Sequence, residues 1–365
     1  MLSINDVARL AGVSSATVSR VLSNSTYPVR EETRNRVLEA AAELGFRPNQ
    51  LARGLVTSRT NMVAAIVHDI ADPYFAEVVR ALDDVAREHG YQLLASSSHR
   101  SPEDELEWLH VLLSYRVDGV IFASSVLEDR DYQIKLRGLL DRFEDEGRSV
   151  VRFASHLSVI PGVTVDQRRA TAQMIRYLVD LGHVRIGMIS GPRRVRAAAQ
   201  RAEGYRKALE AAGLDFDPDL VAEGAFTSES GAVAIGELLQ RAPDITAVCA
   251  ANDITAFGAL RLLNEAGIRV PDDLSVAGFN DIKLCRYISP SLTTVHVPIR
   301  EQAEQVFQLF LDGLEGRPQQ SWQLDTHVVE RESTGPPRAG GPIPTARLDQ
   351  LQAAAAAGVE LRVTT

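Results

Sequence analysis

Ser14, Ser15, Ala16, Thr17, Ser19 and Arg20 crowd into seven consecutive positions, and their chemistry suits contact with a nucleic acid. Hydroxyls at 14, 17 and 19, with Asn24 just beyond, fit phosphate oxygens, which fix register without reading sequence. Arg20 can hydrogen-bond guanine O6 and N7, and the small side chains at 15 and 16 let the backbone come close or touch a thymine methyl. Further on, Asn49 can cap a short helix after Pro48, with Leu51 and Leu55 sharing a face. A helix this short, interrupted by Gly54, is not stable alone in water. It needs a second copy of itself and a DNA groove to form, and an exposed leucine there can wedge between base steps in the minor groove. On these residues alone a plain linker fits as well.

A second set of residues follows the ends of apolar runs. Asp72, Tyr74 and Phe75 follow Met62–Val67, Ser124 follows Gly119–Ala123, Asn252 and Asp253 follow Ala247–Ala250, and Asn280 and Asp281 follow Val276–Gly278. Arg201 lies shortly before Gly204, and Phe226 shortly after Gly224. In open parallel sheets, ligands bind beyond the carboxyl ends of the strands, so a cleft between two such sheets is the expected small-molecule site. Amide and guanidinium groups suit hydroxyls, and an aromatic face suits a sugar ring. Each residue alone also fits a structural role, since a strand-end Asn-Asp commonly forms a turn. Signs of catalysis are missing: there is no G-x-x-x-x-G-K-[ST], H-E-x-x-H or G-x-S-x-G, and the eight histidines and two cysteines form no ligand pattern. No catalytic residue, metal site or cofactor is therefore expected, and Cys249 and Cys285 read as reduced core thiols.

The elements that must carry these residues can be read from periodicity. Ser3 and Asp6 open a capping box, with Asp in place of Glu or Gln. Ile4, Val7, Ala8 and Ala11 share one face of a helix over 4–11, and Gly12 is free to turn the chain. Ser14 caps a second helix with Val18, Val21 and Leu22 inward. A third, from about Glu31 to Leu44, supplies Val37, Leu38, Ala41 and Leu44, and Gly45 stops it. Two short helices joined by a glycine turn form a helix-turn-helix, whose second helix enters the major groove. From residue 62 short apolar runs alternate with amphipathic stretches. Strands are also expected over Gln92–Ala95, Val150–Phe153, Val163–Val165, Arg185–Ile189 and Thr294–Val297, and helices over Tyr74–Glu88, Arg169–Leu181 and Arg201–Ala212. That alternation implies two α/β lobes built on parallel sheets covered on both faces.

The 365 residues are too many for one compact core, and 45% hydrophobic with 24% charged residues is ordinary globular composition. No apolar run approaches the roughly 20 residues that span a bilayer. Met1 leads into a polar, patterned segment, so a cytoplasmic location is expected. The net charge of −9 is uneven: residues 1–60 hold eight arginines against five acids, which leaves the remainder at −12. A cationic head on an anionic body fits a head that touches phosphate.

Asn5-Asp6-Val7-Ala8 with Ala11-Gly12-Val13-Ser14-Ser15-Ala16-Thr17-Val18-Ser19-Arg20-Val21-Leu22 closely resembles the head of LacI/GalR-type bacterial transcriptional regulators. Gly45-Phe46-Arg47-Pro48-Asn49 followed by Ala52 and Leu55 looks like their hinge. The likeness continues through Asp72-Pro73-Tyr74-Phe75, Leu181-Gly182-His183, Gly278-Phe279-Asn280-Asp281 and Arg331-Glu332-Ser333-Thr334. It implies a small all-α helix-turn-helix head on an α/β two-lobed periplasmic-binding-protein-like (type I) body, with chain crossovers near 161, 290 and 321. It also implies that Leu55 is the minor-groove wedge, that Asn49 and Ala52 are hinge contacts, and that Asp72, Tyr74, Phe75, Ser124, Arg201, Phe226, Asn252 and Asn280 line the effector pocket. Arg30 departs from the Ser or Thr cap usual before the third helix, which should weaken the cap. Asn280 and Ala154 stand where sugar-responsive relatives often carry Asp. Fewer carboxylate acceptors keep a phosphorylated or carboxylated sugar, or a nucleoside-like molecule, beside a neutral sugar. Arg193, Arg194 and Arg196 fit either an anion site or a solvated loop.

The expected organisation is a DNA-binding head over 1–47, a hinge helix and linker over 48–60, and an effector-binding and dimerisation body over 61–335. A flexible tail is expected over 336–365, its apolar repeat being too short for a coiled coil. The expected function is a homodimeric transcriptional regulator, a repressor on a pseudo-palindromic double-stranded operator, with a sugar-like effector and no membrane partner. The alternative is a solute-binding receptor on the same two-lobed fold, against which the head argues.

Overall fold

The computed structural model describes residues 2–22, 27–46 and 59–363, with the backbone alone from 356 to 363. Asn24, Asn49, Ala52 and Leu55, and with them most of the expected hinge, lie outside the described residues. The chain divides into two units, 1–61 and 62–365.

In the first unit, α1 (Ile4–Ala11), α2 (Ser15–Leu22) and α3 (Glu31–Glu43) close a small core on Val7, Ala8, Ala11, Val18, Val21, Val37, Ala40 and Ala41. The Asp6 carboxylate accepts from the Ser3 N–H at 2.9 Å and from its hydroxyl at 2.7 Å, so the start of α1 is held by its own side chains. Gly12 takes φ 66°, which L side chains rarely adopt, and turns the chain into α2. The Thr17 N–H donates to Ser14 Oγ at 3.2 Å, capping α2. Arg30 makes no side-chain cap for α3, as its chemistry predicts. Leu38, expected inward, is exposed. The buried stripe of α3 is 37, 40 and 41, and position 38 sits about 100° around the helix from 37.

The second unit is built on two large sheets, parallel but for one edge strand, with a two-stranded sheet besides. The first lobe orders its strands β2 (Gln92–Ser97), β1 (Met62–Val67), β3 (Gly119–Phe122), β4 (Ser149–Arg152), all parallel. Alternate residues of each strand face opposite layers. Val63, Ala65 and Ile121 pack under α4 (Pro73–Glu88), while Ala64, Ile66 and Phe122 pack under α5 (Pro102–Ser114) and α6 (Arg130–Asp145). The second lobe follows β5 (Val163–Val165) and consists of α7 (Gln167–Asp180), β6 (Ile186–Ser190), α8 (Arg196–Ala211), β7 (Val221–Glu223), α9 (Ser228–Arg241), β8 (Ala247–Ala250), α10 (Asp253–Glu265), β9 (Ser275–Asn280) and β10 (Thr293–His296). The chain then returns to the first lobe as α11 (Ile299–Leu314), whose Phe307 and Phe310 pack with Val78 and Leu82 of α4. It crosses back through β11 (Trp322–Leu324), parallel to β5, to β12 (His327–Val329). The second sheet runs β12-β10-β9-β8-β6-β7, with β12 its antiparallel edge.

Two expectations need correction. The middle crossover falls at 297–298, between β10 and α11, and not near 290, because Pro290 belongs to the loop that feeds β10 inside the second lobe. The segment after 335 is not a loose tail. The Arg338 guanidinium donates to the carbonyls of Pro243, Ile245 and Asp273 at 2.7–3.0 Å. Ile343 and Leu351 are buried in the second-lobe core, and α12 (Thr345–Val363) packs on α9 and α10. A single face of Leu348 and Leu351 is enough once it has a surface to lie on, so no heptad repeat is required.

Candidate functional site

The head presents its second helix outward. Ser14, Ser15, Ala16, Ser19 and Arg20 are exposed, and Thr17 is half-buried with its hydroxyl 3.0 Å from that of Ser14. The Arg20 guanidinium lies 4.4 Å from the ring centroid of Tyr27, a cation–π contact that restrains a long side chain on the recognition face. Tyr27 was not singled out from sequence, because it follows the helix and carries no spacing signal.

In the body, a cavity partly open to solvent lies between the two lobes. Seven of the eight expected effector residues line it: Asp72, Tyr74, Phe75, Arg201, Phe226, Asn252 and Asn280. Most stand where a strand ends and a helix begins, as the topology of parallel sheets requires. Asp72 caps α4, its Oδ1 accepting the Tyr74 N–H at 2.9 Å, and burial raises its pKa against that bond. Asn252 caps α10 through the Thr255 N–H at 3.0 Å. Phe226 takes φ 63° and swings its ring onto Gly191, where even a Cβ would come within 2.2 Å of the ring.

Arg201 is the centre of the second-lobe wall. It is 8% exposed, donates to Gln167 Oε1 at 2.8 Å and to the Ala251 carbonyl, and stacks 3.7 Å from the Phe279 ring centroid. Burial lowers its pKa to about 10, still well above neutrality, so it carries its charge into the cavity. Asn280, 4% exposed at φ 123°, leaves Oδ1 without a hydrogen-bond partner.

Ser124 is the exception. Its hydroxyl points away from the cleft and donates to Glu105 Oε2 at 3.0 Å, while Ser125 lines the cavity instead. The strand's two-residue alternation explains the error: one position decides which face a side chain takes. Glu105 is the acceptor of a buried cluster, taking hydrogen bonds from Tyr132 and from His156 Nε2 at 3.2 Å as well. Burial alone would raise Glu105, but the His156 and Tyr132 bonds outweigh it and hold the carboxyl below the ordinary glutamate value. The second lobe has a counterpart. Asp253, fully buried behind Arg201, accepts from Thr294 Oγ1 at 2.5 Å and from the Ile282 N–H at 3.0 Å. There burial wins, and the pKa is pushed up to about 6.

Sequence reasoning missed His68, Arg100 and Gln167, which also line the cavity. His68 follows β1 directly and Arg100 lies just past β2, so the strand-end rule finds both when applied to every strand. The arginines of 193–196 do not face the cavity. Arg193 pairs with Glu223 at 3.4 Å and Arg196 with Glu128 at 2.6 Å, while Val195 and Ala197 form the lining. Among the described residues no group of three or more His, Cys, Asp or Glu comes together to hold a metal, and no helix is long and apolar enough to cross a membrane. Cys249 and Cys285 are free and buried.

Comparison with known proteins agrees with this architecture. Residues 3–49 match the family described as bacterial regulatory proteins, lacI family, and residues 175–334 match the periplasmic binding protein-like domain. The chain is 34% identical to the HTH-type transcriptional repressor CytR of Escherichia coli (strain K12), over 91% of this chain and 96% of the relative. Among solved structures, the lac repressor dimer bound to operator and the anti-inducer ONPF superposes with a TM-score of 0.80 at 26% identity, covering 92% of this chain and 99% of that one. The complex of the transcriptional regulator CelR with cellobiose superposes with a TM-score of 0.67 at 33% identity, covering 91% and 100%.

Proposed function

The chain belongs to the LacI family of bacterial transcriptional regulators, and from that premise we propose that the interlobe cavity is its effector site and that occupancy there sets how tightly the head grips an operator. The protein is a sequence-specific DNA-binding regulator that works as a dimer. On our reading it is a repressor acting in the cytoplasm by binding alone, without turnover. Its effector is a polyhydroxylated, sugar-like molecule, a class supported by the cellobiose complex of CelR.

One observation carries this reading. Arg201 is almost wholly buried, fixed by Gln167 and Ala251 and backed by Phe279, on the same wall as the unpartnered Asn280 Oδ1. A structural arginine would close its own polar neighbourhood; this one faces a cavity that still has an acceptor to satisfy. Asn49, Ala52 and Leu55 contact the operator on this reading, and a coupling of about 1–3 kcal/mol between effector and operator is enough to change its occupancy. Ser14, Ser15, Ala16, Thr17, Ser19, Arg20 and Asn24 are the head's DNA contacts on this reading.

Footprinting tests the DNA half. Arg20→Ala is expected to lose about 1–3 kcal/mol of discrimination at one base pair of each half-site, and Leu55→Ala to weaken specific binding with the fold intact. Unchanged protection in both variants refutes the assignment. A gel-shift titration tests the other half: Arg201→Ala is expected to lose the effector response that the wild-type protein gives, and a retained response removes the cavity from the proposal.

A further inference from the structure

The two walls of the cavity differ in what they leave unsatisfied. On the second-lobe wall the unpartnered group is an acceptor, Asn280 Oδ1. On the first-lobe wall the unpartnered groups are donors. Residues His99 and Arg100 both take positive φ, 49° and 58°, just past β2, and Arg100 lines the cavity. Its Nε is buried without a hydrogen-bond partner, and among the described residues the side chain makes no ion pair. The ring of Phe226 from the opposite lobe lies 5.4 Å from its guanidinium, and the carboxylates of Asp72 and Asp69 are near enough to favour its charged form against burial. His68, 5% exposed, accepts the Ser125 N–H on Nε2 at 3.0 Å, so its proton sits on Nδ1, and Nδ1 too has no partner. Burial and the nearby Arg100 drive the His68 pKa down to about 3, so this ring is a neutral donor.

Charge points the same way. Two guanidinium groups line the cavity against one carboxylate, Asp72, and one oxygen of that carboxylate already caps α4. Arg201 is held by Gln167, Ala251 and Phe279, whereas Arg100 has Asp72 and Asp69 nearby but no hydrogen-bond partner on its buried Nε. A buried guanidinium N–H without an acceptor is costly, and a planar guanidinium fork matches a carboxylate or phosphate better than any hydroxyl. Resting on the effector reading above, we propose that the effector is a polyhydroxylated acid, its carboxylate or phosphate held by Arg100 and His68 and a hydroxyl donating to Asn280 Oδ1. Arg100 is then a specificity-determining residue, separating acids from neutral sugars. Its contact with Phe226 across the cleft means that the acidic group arrives where the two lobes meet.

Matched pairs test this on the full-length protein: D-glucose, D-gluconate and glucose 6-phosphate, and D-ribose, D-ribonate and ribose 5-phosphate. Thermal unfolding and isothermal titration are the readouts. At least one acid is expected to raise the melting temperature while its neutral parent does not, and the carboxylate and phosphate arms show which acidic group is taken. Arg100→Gln is expected to weaken that acid at least tenfold without lowering the ligand-free melting temperature, because the substitution removes a buried donor that has no acceptor. Arg100→Asn, which tolerates positive φ more readily, checks that any loss is not a folding defect. Neutral parents binding as well as their acids, indifference of the acid to Arg100→Gln, or no binding by any acid in the panel would each overturn the inference. An acid that binds Arg201→Ala as tightly as wild type shows instead that the cavity itself was misassigned.

Discussion

The two lobes set a buried carboxylate behind the same cavity and treat it in opposite ways. Glu105 in the first lobe is surrounded by donors from three different places: Tyr132 on α6, Ser124 past β3 and His156 in the crossover to β5. Its ionised form is favoured, and it ties together elements that the sheet alone does not connect. Asp253 in the second lobe is the first residue of α10 and also has three donors, Thr294, the Ile282 N–H and Cys285, yet with complete burial and Asp281 nearby its ionised form is disfavoured. Neither burial nor the number of donors therefore dictates the sign of a pKa shift; the neighbours do, an imidazole beside Glu105 and a second carboxylate, Asp281, beside Asp253. The first lobe uses its carboxylate as a brace, and the second carries its carboxylate at a standing cost beside Arg201.

The largest expected effect breaks the brace. Glu105→Gln replaces an acceptor with a group that presents its own donors to Tyr132 and His156, and should cost about 3–5 kcal/mol in urea unfolding. A loss below 1 kcal/mol would mean that the cluster holds nothing together. The second test uses pH. Because Asp253 is raised above its unfolded value of 3.8, the folded protein binds the extra proton between about pH 6 and 4. The cost of this group is full above pH 6 and is relieved as pH falls toward 4. Stability of the wild type relative to Asp253→Asn should therefore rise on acidification, by up to about 3 kcal/mol. Glu105 acts oppositely: its contribution is present above the unfolded glutamate value and is lost as pH falls through its lower folded value. If the difference between wild type and Asp253→Asn stays flat from pH 7 to pH 4.5, the contrast between the lobes fails. The smallest effect sharpens the corrected position of Ser124: Ser124→Ala should cost about 1 kcal/mol of stability through the lost bond to Glu105, with ligand affinity by titration unchanged.

Local signals were the most legible. The capping box at Ser3, the turn at Gly12 and the cap at Ser14 fixed the first two helices, and β5 and β8 fell on their expected bounds, because each rests on contacts within a few residues. The strands β7, β11 and β12 were not read from sequence. Each has three residues and depends on a partner far along the chain, as β11 does on β5. The same distance hid the ordered C-terminal segment, whose Arg338 finds its three carbonyls at 243, 245 and 273. The candidate site was legible where a strand end coincided with a recognisable motif, as at Asn252 and Asn280. Arg100 and His68 stand at strand ends without one. Ser124 shows the resolution limit of such reading: the segment was right and the facing was off by one residue.

The path of the chain between the lobes has an evolutionary consequence. Because it passes at 153–162, at 297–298 and again at 315–326, the first lobe is assembled from two separated stretches. The cavity lining nevertheless falls in two consecutive blocks, 68–155 from the first lobe and 167–280 from the second. A single recombination breakpoint near 160 can therefore exchange one wall and keep the other, provided that α11 still packs on the incoming α4. Libraries for retargeting such a body can recombine whole walls as well as vary single strand-end residues.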